Sequence, residues 1–514
     1  MMHYFLTIDN GGTNTKAVIC TDNGQQVGMA SFPTKRIEPQ PGFQEIKLSN
    51  LLSDIGQVIQ QALKKANLKV DLIEAITVVG HGKGLYTLDQ TGKIFMNGIL
   101  STDNRAQNIA TTLQSQVSRI YSISHQQIMA SQAPVILRWL KENQHEQYDR
   151  IGYILSNKDF IRYLLTDEIK QEIGDASGNN LINLDTGKYD QNLYDFFGVP
   201  EIYNKLPPLI KATDLAGHVT SKAAQVTGLK SGTPVYAGMF DIDACAIATG
   251  VLNEQKFSMI AGTWNMNIFP SLQRASQSAG LMNSIFPTDL NLIEASSPTS
   301  AGNLELMIKM LLAEEVHNAN LHQKSIYDYL EMMLDSTDAA YTQLLFFPFL
   351  YGSNSDPAAE GAFIGLRSST TKSEMIRSVY EGICFAHRDH IEQLLKVLGH
   401  RPEVIRMSGG ACNSKHWVQM FADVLNLPIE LTAASELGGL GGAITCAVGE
   451  GLYPDFSSAV AQMTQVIERY EPIADQVEIY EKKYQIYDSL LRTLEGKWEK
   501  LKNLQKELNK QNDH

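Results

Sequence analysis

Residues Thr7 to Val18 read TIDNGGTNTKAV: an acid, two glycines and two threonines set directly after a strand-like run. The stretch is either a tight turn between two strands or a cradle for a phosphate and its metal. The turn is the commoner use of an Asn-Gly-Gly sequence. The chemistry of a cradle is nevertheless present in these few residues. Gly11 and Gly12 let a backbone approach phosphate oxygens closely, with N–H groups turned inward. Thr13 and Thr15 add hydroxyl donors, and Lys16 adds positive charge. Asp9, at a strand end, suits Mg²⁺, a hard cation that takes carboxylate oxygen and keeps much of its water.

Working outward, Tyr4 to Ile8 and Lys16 to Cys20 read as strands, and TDNG (Thr21 to Gly24) turns the chain into a third at Gln26 to Phe32. Leu48 to Ala66 has helical spacing, and EAITVVG (Glu74 to Gly80) is a strand ending in glycine. APVILRWLKEN (Ala133 to Asn143) and NKDFIRYLLT (Asn157 to Thr166) read as amphipathic helices. The strand signal restarts in TPVYAGMFDIDACAIATG (Thr233 to Gly250), expected as strand, turn and small-residue helix. KFSMIAGTWNMNIF (Lys256 to Phe269) reads as a hairpin with Gly-Thr at its turn. That repeats the design of the opening stretch and suggests two related halves. Long helices are expected at Thr371 to Leu398 and Ser414 to Leu425, and one terminal helix from Tyr480 onward. The terminal helix is expected to pack along its own domain, with a coiled-coil dimer seam as the weaker reading.

A chain of 514 residues is too long for one ordinary core and predicts two large domains. Its net charge of −13 argues against a nucleic-acid surface and leaves room for a phosphorylated ligand, which needs only local donors. The five cysteines are scattered without C-x-x-C spacing, which predicts neither a disulfide frame nor a zinc site and fits a reducing cytoplasm. The opening residues do not read as a signal peptide, and no run approaches the ~18 apolar residues of a membrane span.

Further constellations extend the phosphate reading. AGTWN (Ala261 to Asn265) places Gly262 and Thr263 at a turn between strands. MSGGACNSKHW (Met407 to Trp417) follows a strand and precedes a helix. There Gly409 and Gly410 would let an adenine or ribose lie on the backbone, and the helix start would offer free N–H groups. GGLGGA (Gly438 to Ala443) comes too late and with the wrong spacing for a dinucleotide fingerprint. GMFDIDACA carries Asp241 and Asp243 at a strand end. One of them is expected to cap the following helix, and one is able to take a proton from a hydroxyl. No G-x-x-x-x-G-K-[ST] occurs, so a P-loop is excluded. His387-Arg388-Asp389 matches three letters of the protein-kinase catalytic loop without its companions, and His387 and His390 are expected on a surface helix face.

Two phosphate-type turns, a late Gly-Gly turn and an acid between them form an order that resembles the FGGY carbohydrate kinases of the sugar kinase–Hsp70–actin superfamily. GAFIGLRSSTTKSEMIRSVYEG (Gly361 to Gly382) is similar to that family's second signature throughout. APVILRWLKEN keeps Trp139 and Leu140 of the first signature, with Ile136 where the family usually has lysine. NGILSTDNRA (Asn97 to Ala106, with Asp103) and DASG (Asp175 to Gly178) are further landmarks. Within the family the chain is most similar to the L-xylulose / 3-keto-L-gulonate kinase type, through GKGLYTLD (Gly82 to Asp89), SPTSAGNLE (Ser297 to Glu305) and FFPFLYGSN (Phe346 to Asn354).

The resemblance implies an α/β protein of two ribonuclease H-like domains with a cleft between them. The expected bounds are 1–250 for sugar and first phosphate turn, 251–475 for nucleotide, and 476–514 for a C-terminal helix. It implies ATP and Mg²⁺, with Asp9 on the metal side. Gly11, Gly12, Thr13, Asn14, Lys16, Gly262 and Thr263 would surround phosphates, and Gly409, Gly410 and Asn413 would border the adenosine. It places the catalytic base at Asp241, which would take the proton of a terminal sugar hydroxyl as its oxygen attacks the γ-phosphorus in line. Gly82, Lys83, Asp103 and Asp241 would hold the sugar, with Lys83 suited to a carboxylate or to sugar hydroxyls. Trp264 stands where many relatives carry a small residue. A cytoplasmic enzyme is implied, able to pair as a homodimer, with a small-molecule sugar as partner and neither nucleic acid nor membrane. D-xylulose, L-ribulose, erythrulose or glycerol are alternative substrates, and a non-catalytic sugar sensor is the alternative of another class.

Overall fold

A computed structural model describes residues 2–353, 356 and 358–512. Asn354 of the FFPFLYGSN landmark and the last two residues of the expected C-terminal helix lie outside them. The chain divides into two compact units. The first comprises Met1–Asn253, Phe269–Ile293 and Ala433–Gln465, and the second Glu254–Ile268, Glu294–Thr432 and Val466–His514.

The first unit is built on a six-stranded sheet. Strands Tyr4–Asn10, Asn14–Thr21 and Gln26–Pro33 form an antiparallel meander. Ile73–Gly80 and then Pro234–Phe240 add in parallel beyond the first strand, and Leu215–His218 closes the edge antiparallel. Phe5, Leu6, Ile8, Val18 and Ile19 are fully buried, because helices cover both faces of the sheet. The helix Leu51–Ala66 packs so closely on the third strand that a Cβ on Gly28 would stand 2.6 Å from the Ala62 carbonyl oxygen. The helix Leu437–Gly449 lies equally close to other strands. Cβ atoms on Gly439 and Gly442 would meet the side chains of Val18 and Thr7 at 2.5 and 2.4 Å. The glycines of GGLGGA therefore serve close helix–sheet packing.

The second unit repeats the strand logic. Lys256–Ala261 pairs antiparallel with Asn265–Ser271 on one side and parallel with Val404–Ser408 on the other. Ile429–Thr432 then adds in parallel and Val466–Tyr470 antiparallel. Each unit thus centres on a strand that leads into a hairpin and has a parallel strand on its other side, the related design that the two Gly-Thr turns suggested.

The local predictions hold closely. Helices run Ala133–Asn143 and Asn157–Thr166 as expected. Helix Lys372–Leu398 starts in a capping box between Thr371 and Glu374. The expected single terminal helix is corrected: Ala474–Leu494 and Trp498–Asn512 are separate helices, interrupted at Gly496, whose φ is +69°. Among the described residues no helix is long and apolar enough to cross a membrane.

Candidate active site

In the first unit the chain leaves its first strand at Asp9 and Asn10 and returns at Asn14. The turn is held by the Gly11 N–H donating to the Asn14 carbonyl at 3.0 Å, and by Thr34 donating its N–H to the Thr13 carbonyl at 2.8 Å. Gly11 therefore does not turn its N–H inward, as the sequence reading expected. Gly12 is the open position, since a Cβ there would meet nothing within 4 Å, and Thr13 is exposed. Thr15 is also corrected. It is buried and accepts from Asn10 Nδ2 at 2.7 Å, while Asn157 Nδ2 reaches Asn10 Oδ1 at 2.9 Å. The buried Asn10 braces the turn from beneath.

Asp9 and Lys16 are directly opposed in the antiparallel register and so share one face of the sheet. Lys16 Nζ meets Glu436 Oε2 at 2.5 Å. Burial alone would lower the Lys16 ammonium, but Glu436 and Asp9 outweigh it and hold it above its ordinary value. Burial pushes the Asp9 carboxyl up to about 6, against the pull of Lys16 and with help from Glu436. A Cβ on Gly438 would stand 2.6 Å from Asp9 Oδ2, so this glycine keeps the space that the carboxylate occupies. Glu436 and Gly438 were missed in the sequence. No local signal links them to a turn more than 400 residues away.

Asp241 is the first residue of the helix Asp241–Ala248, with Phe240 in the cap position and no side-chain cap. Neither aspartate caps this helix, contrary to expectation. Burial first, then the charge of Asp9, pushes the Asp241 carboxyl up to about 8; the Ile242 N–H and the Lys83 ammonium pull the other way. Asp243 points away from solvent. It is 1% exposed, neither carboxylate oxygen has a hydrogen-bond partner, and burial with Glu172, Asp175 and Asp241 nearby pushes its carboxyl well above its ordinary value. Beneath it Lys158 Nζ stands 3.2 to 3.3 Å from Asp159, Glu172 and Asp175.

The Gly82-Lys83-Gly84 loop follows the strand Ile73–Gly80. A Cβ on Gly82 would lie 2.5 Å from the Phe240 ring, so this loop rests on the residue before Asp241. Lys83 has φ +63°, a left-handed conformation that is costly for a lysine and typical of functional loops. His81 is buried, bonded to Tyr86 Oη at 3.0 Å and to the Gly82 carbonyl at 3.2 Å, and desolvation lowers it to about 4. Asp103 is in the same unit, but both its oxygens are occupied. Arg105 forks onto it at 2.9 Å and the Gln44 N–H donates at 2.7 Å. Arg105 is in turn held over the Phe43 ring at 4.3 Å and the Trp139 ring at 5.3 Å.

The second unit carries the remaining turns. Gly262 donates its N–H to the Trp264 carbonyl at 3.3 Å, as Gly11 does to Asn14, and accepts from the Ala301 N–H at 2.8 Å. Thr263 is exposed, and Trp264 is 39% exposed. Gly409 has φ +96°, and a Cβ there would stand 2.6 Å from the Ala261 carbonyl oxygen, so the structure brings the two glycine turns of this unit together. Gly410 is open and Asn413 exposed. The helix start that follows was expected to offer free N–H groups, and this is corrected. Ser414 caps the Trp417 N–H at 3.1 Å, and Glu331 takes the Ser414 hydroxyl at 2.5 Å. His387 and His390 are buried in this unit rather than exposed, a correction taken up below.

The first unit thus carries an acid at a strand end with a lysine opposite and a second, half-buried acid on a helix start, and each unit carries a glycine turn. The N-terminal domain of the FGGY family of carbohydrate kinases matches residues 4–248, and its C-terminal domain matches residues 257–450. The chain belongs to the FGGY family of carbohydrate kinases and is an ATP-dependent phosphotransferase acting on a sugar. It is 32% identical to the L-xylulose/3-keto-L-gulonate kinase of Escherichia coli (strain K12) over 502 residues, 96% of this chain and 98% of that protein. It is also 32% identical to a probable L-xylulose kinase of Pasteurella multocida (strain Pm70), over 96% of this chain and all of that protein. The crystal structure of gluconate kinase from Lactobacillus acidophilus shares its fold, with a TM-score of 0.88 at 23% identity over 98% of this chain and 100% of that one.

Proposed function

We propose that the chain transfers the γ-phosphoryl group of ATP to a terminal hydroxyl of a small ketose or keto-sugar acid, with L-xylulose and 3-keto-L-gulonate as the first candidates. The observation that carries the mechanism is Asp241. It is a carboxyl whose proton affinity is raised to about 8, next to Asp9 and to the loop of Lys83. Such a group takes a proton from a hydroxyl far better than an ordinary aspartate at the same pH. As the sugar oxygen attacks phosphorus in line, the O–H proton passes to Asp241 and ADP leaves.

Asp9 is the metal-side residue in this reading. The oxygen chemistry of Asp9, a half-buried carboxylate at a strand end, would suit Mg²⁺. When bound, the ion supplies neutralisation of phosphate charge. In the first unit Gly12, Thr13, Asn14 and Lys16 receive phosphate oxygens, while Gly11 shapes the turn. In the second, Gly262 and Thr263 do the same, and Gly409, Gly410 and Asn413 border the adenosine.

The substrate reading rests on the relatives at 32% identity and on Lys83. Its charge lies near enough to Asp241 to lower that carboxyl's proton affinity, and an ammonium there can pair with a sugar-acid carboxylate. Gly82 fixes the loop on Phe240, and Asp103 acts through Arg105 to hold the sugar wall. The reaction belongs in a reducing cytoplasm, which the free state of all five cysteines suits. A homodimer through the terminal helix is part of the reading, since Leu501, Leu504 and Leu508 are about half exposed there.

The test is ADP release with MgATP against L-xylulose, 3-keto-L-gulonate, D-xylulose, L-ribulose, erythrulose and glycerol. Preferred turnover of either of the first two supports the reading. Preference for another member keeps the mechanism and discards the substrate. Sugar binding without any turnover would favour the sensor.

A further inference from the structure

His387 and His390 lie on the helix Lys372–Leu398 and are 0% and 8% exposed. Buried imidazoles need partners, and these have them in one connected chain of side chains. Ser300 Oγ lies 3.1 Å from His387 Nε2, and His387 Nδ1 lies 3.3 Å from Asn267 Oδ1. Asn267 Nδ2 reaches Asn265 Oδ1 at 2.6 Å and His390 Nδ1 at 3.2 Å. Asn265 Nδ2 then donates to Thr299 Oγ1 at 3.1 Å, which pairs with Ser297 Oγ at 2.8 Å. All the members are buried.

The donors and acceptors fix one direction. An amide oxygen only accepts, so His387 donates from Nδ1, and its bare Nε2 accepts the Ser300 hydroxyl proton. The two N–H bonds of Asn267 serve Asn265 and His390, so His390 accepts at Nδ1. Both imidazoles are neutral, and desolvation favours that, lowering His390 to about 4 and His387 well below its usual range.

Two members of this chain, Asn265 and Ser300, adjoin the second glycine turn. Asn265 is the first residue of the strand that leaves Gly262-Thr263-Trp264. Ser300 precedes Ala301, whose N–H binds the Gly262 carbonyl, and a Cβ on Gly302 would sit 3.2 Å from Thr263 Cγ2. The turn closes on itself through the Gly262 N–H and the Trp264 carbonyl, at 3.3 Å. We propose that His387 is a positioning residue that, through Ser300 and Asn267, sets the Gly262–Thr263 turn for phosphate. The inference rests on the reading of that turn as a phosphate turn.

The experiment compares His387→Leu, His387→Asn and Ser300→Ala in the full chain. Asn retains an N–H where Nδ1 stands, and Leu retains only volume. The readouts are KM for MgATP, KM for the sugar, MgADP affinity by calorimetry, and Tm. His387→Leu is expected to raise the MgATP KM and weaken MgADP roughly tenfold or more, as small displacements of a reacting group do. The sugar KM should stay within about twofold, and His387→Asn, which restores the bond to Asn267 but not the one to Ser300, should recover part of the loss. Equal losses for sugar and nucleotide, or no rescue by Asn, would overturn the proposal. If His387→Leu does not fold, Ser300→Ala decides by the same split, since it removes one hydroxyl and little volume. Should the wild type bind MgADP yet phosphorylate no sugar in the panel, the kinase reading falls and MgADP affinity alone judges His387. Should the wild type bind no nucleotide, both fall.

Discussion

Lys16 Nζ and Glu436 Oε2 stand 2.5 Å apart, joining the first turn to the start of a helix 420 residues further along the chain. That approach also seats Gly438 against Asp9. A methyl group at Gly438 would have to displace the Asp9 carboxylate, which it would meet at 2.6 Å. Gly438→Ala is expected to lower kcat/KM about tenfold or more and to raise the Mg²⁺ concentration needed for half-maximal rate. Tm should change little, since alanine favours the helix by about 1 kcal/mol over glycine. A Mg²⁺ titration of initial rates checks this, and an unchanged Mg²⁺ requirement removes Asp9 from the metal side.

Asp241→Ala should abolish turnover while sugar binding by calorimetry stays within a few fold. General-base catalysis contributes about 10²- to 10⁴-fold. Even a tenth of wild-type turnover in the variant would count strongly against Asp241 as the base.

The pH dependence follows from the same carboxyl. A base must be ionised to act, and burial together with Asp9 raises Asp241 to about 8. The rate constant kcat/KM for the sugar should therefore rise with pH and level off above about 8. An ascending limb centred near 4, the ordinary carboxylate range, would contradict the assignment.

Stability should move the other way. The native state keeps a proton on Asp241 that the unfolded chain releases above its ordinary value of 3.8, so stability falls as pH rises from there through about 8. Asp241→Asn removes that cost. The variant is expected to melt about 2–4 °C above wild type at pH 8 and to lose the advantage near pH 4. Thermal scans at the two pH values check the sign.

Lys83→Met keeps the side chain's length and removes its charge. If Lys83 meets a carboxylate, selectivity for 3-keto-L-gulonate over neutral L-xylulose should fall about 10- to 100-fold, the equivalent of one charged hydrogen bond. Paired kcat/KM values for the two substrates decide it. Equal losses for both would assign Lys83 to the shared hydroxyls.

Much of this was legible in the sequence because the signals are short-range. Asp-Asn-Gly-Gly-Thr after an apolar run becomes the turn between Tyr4–Asn10 and Asn14–Thr21. Thr371 and Glu374 announce a helix start from three residues' spacing, and GMFD places an acid at the end of a strand. Backbone preference, capping and turn chemistry all act over a few residues.

Tertiary structure decided the rest. Whether Gly11, Thr15 or Asp103 has a free polar group depends on partners brought in by folding, and each is engaged. The histidines, expected on a surface, are buried because the helix that carries them has polar asparagines and serines packed against it. Helical spacing alone does not reveal such partners. The proton affinity of Asp241 arises from burial and from the charge of Asp9, 232 residues earlier in the sequence. Desolvation and long-range contact are properties of the packed molecule, and no local run of letters encodes them.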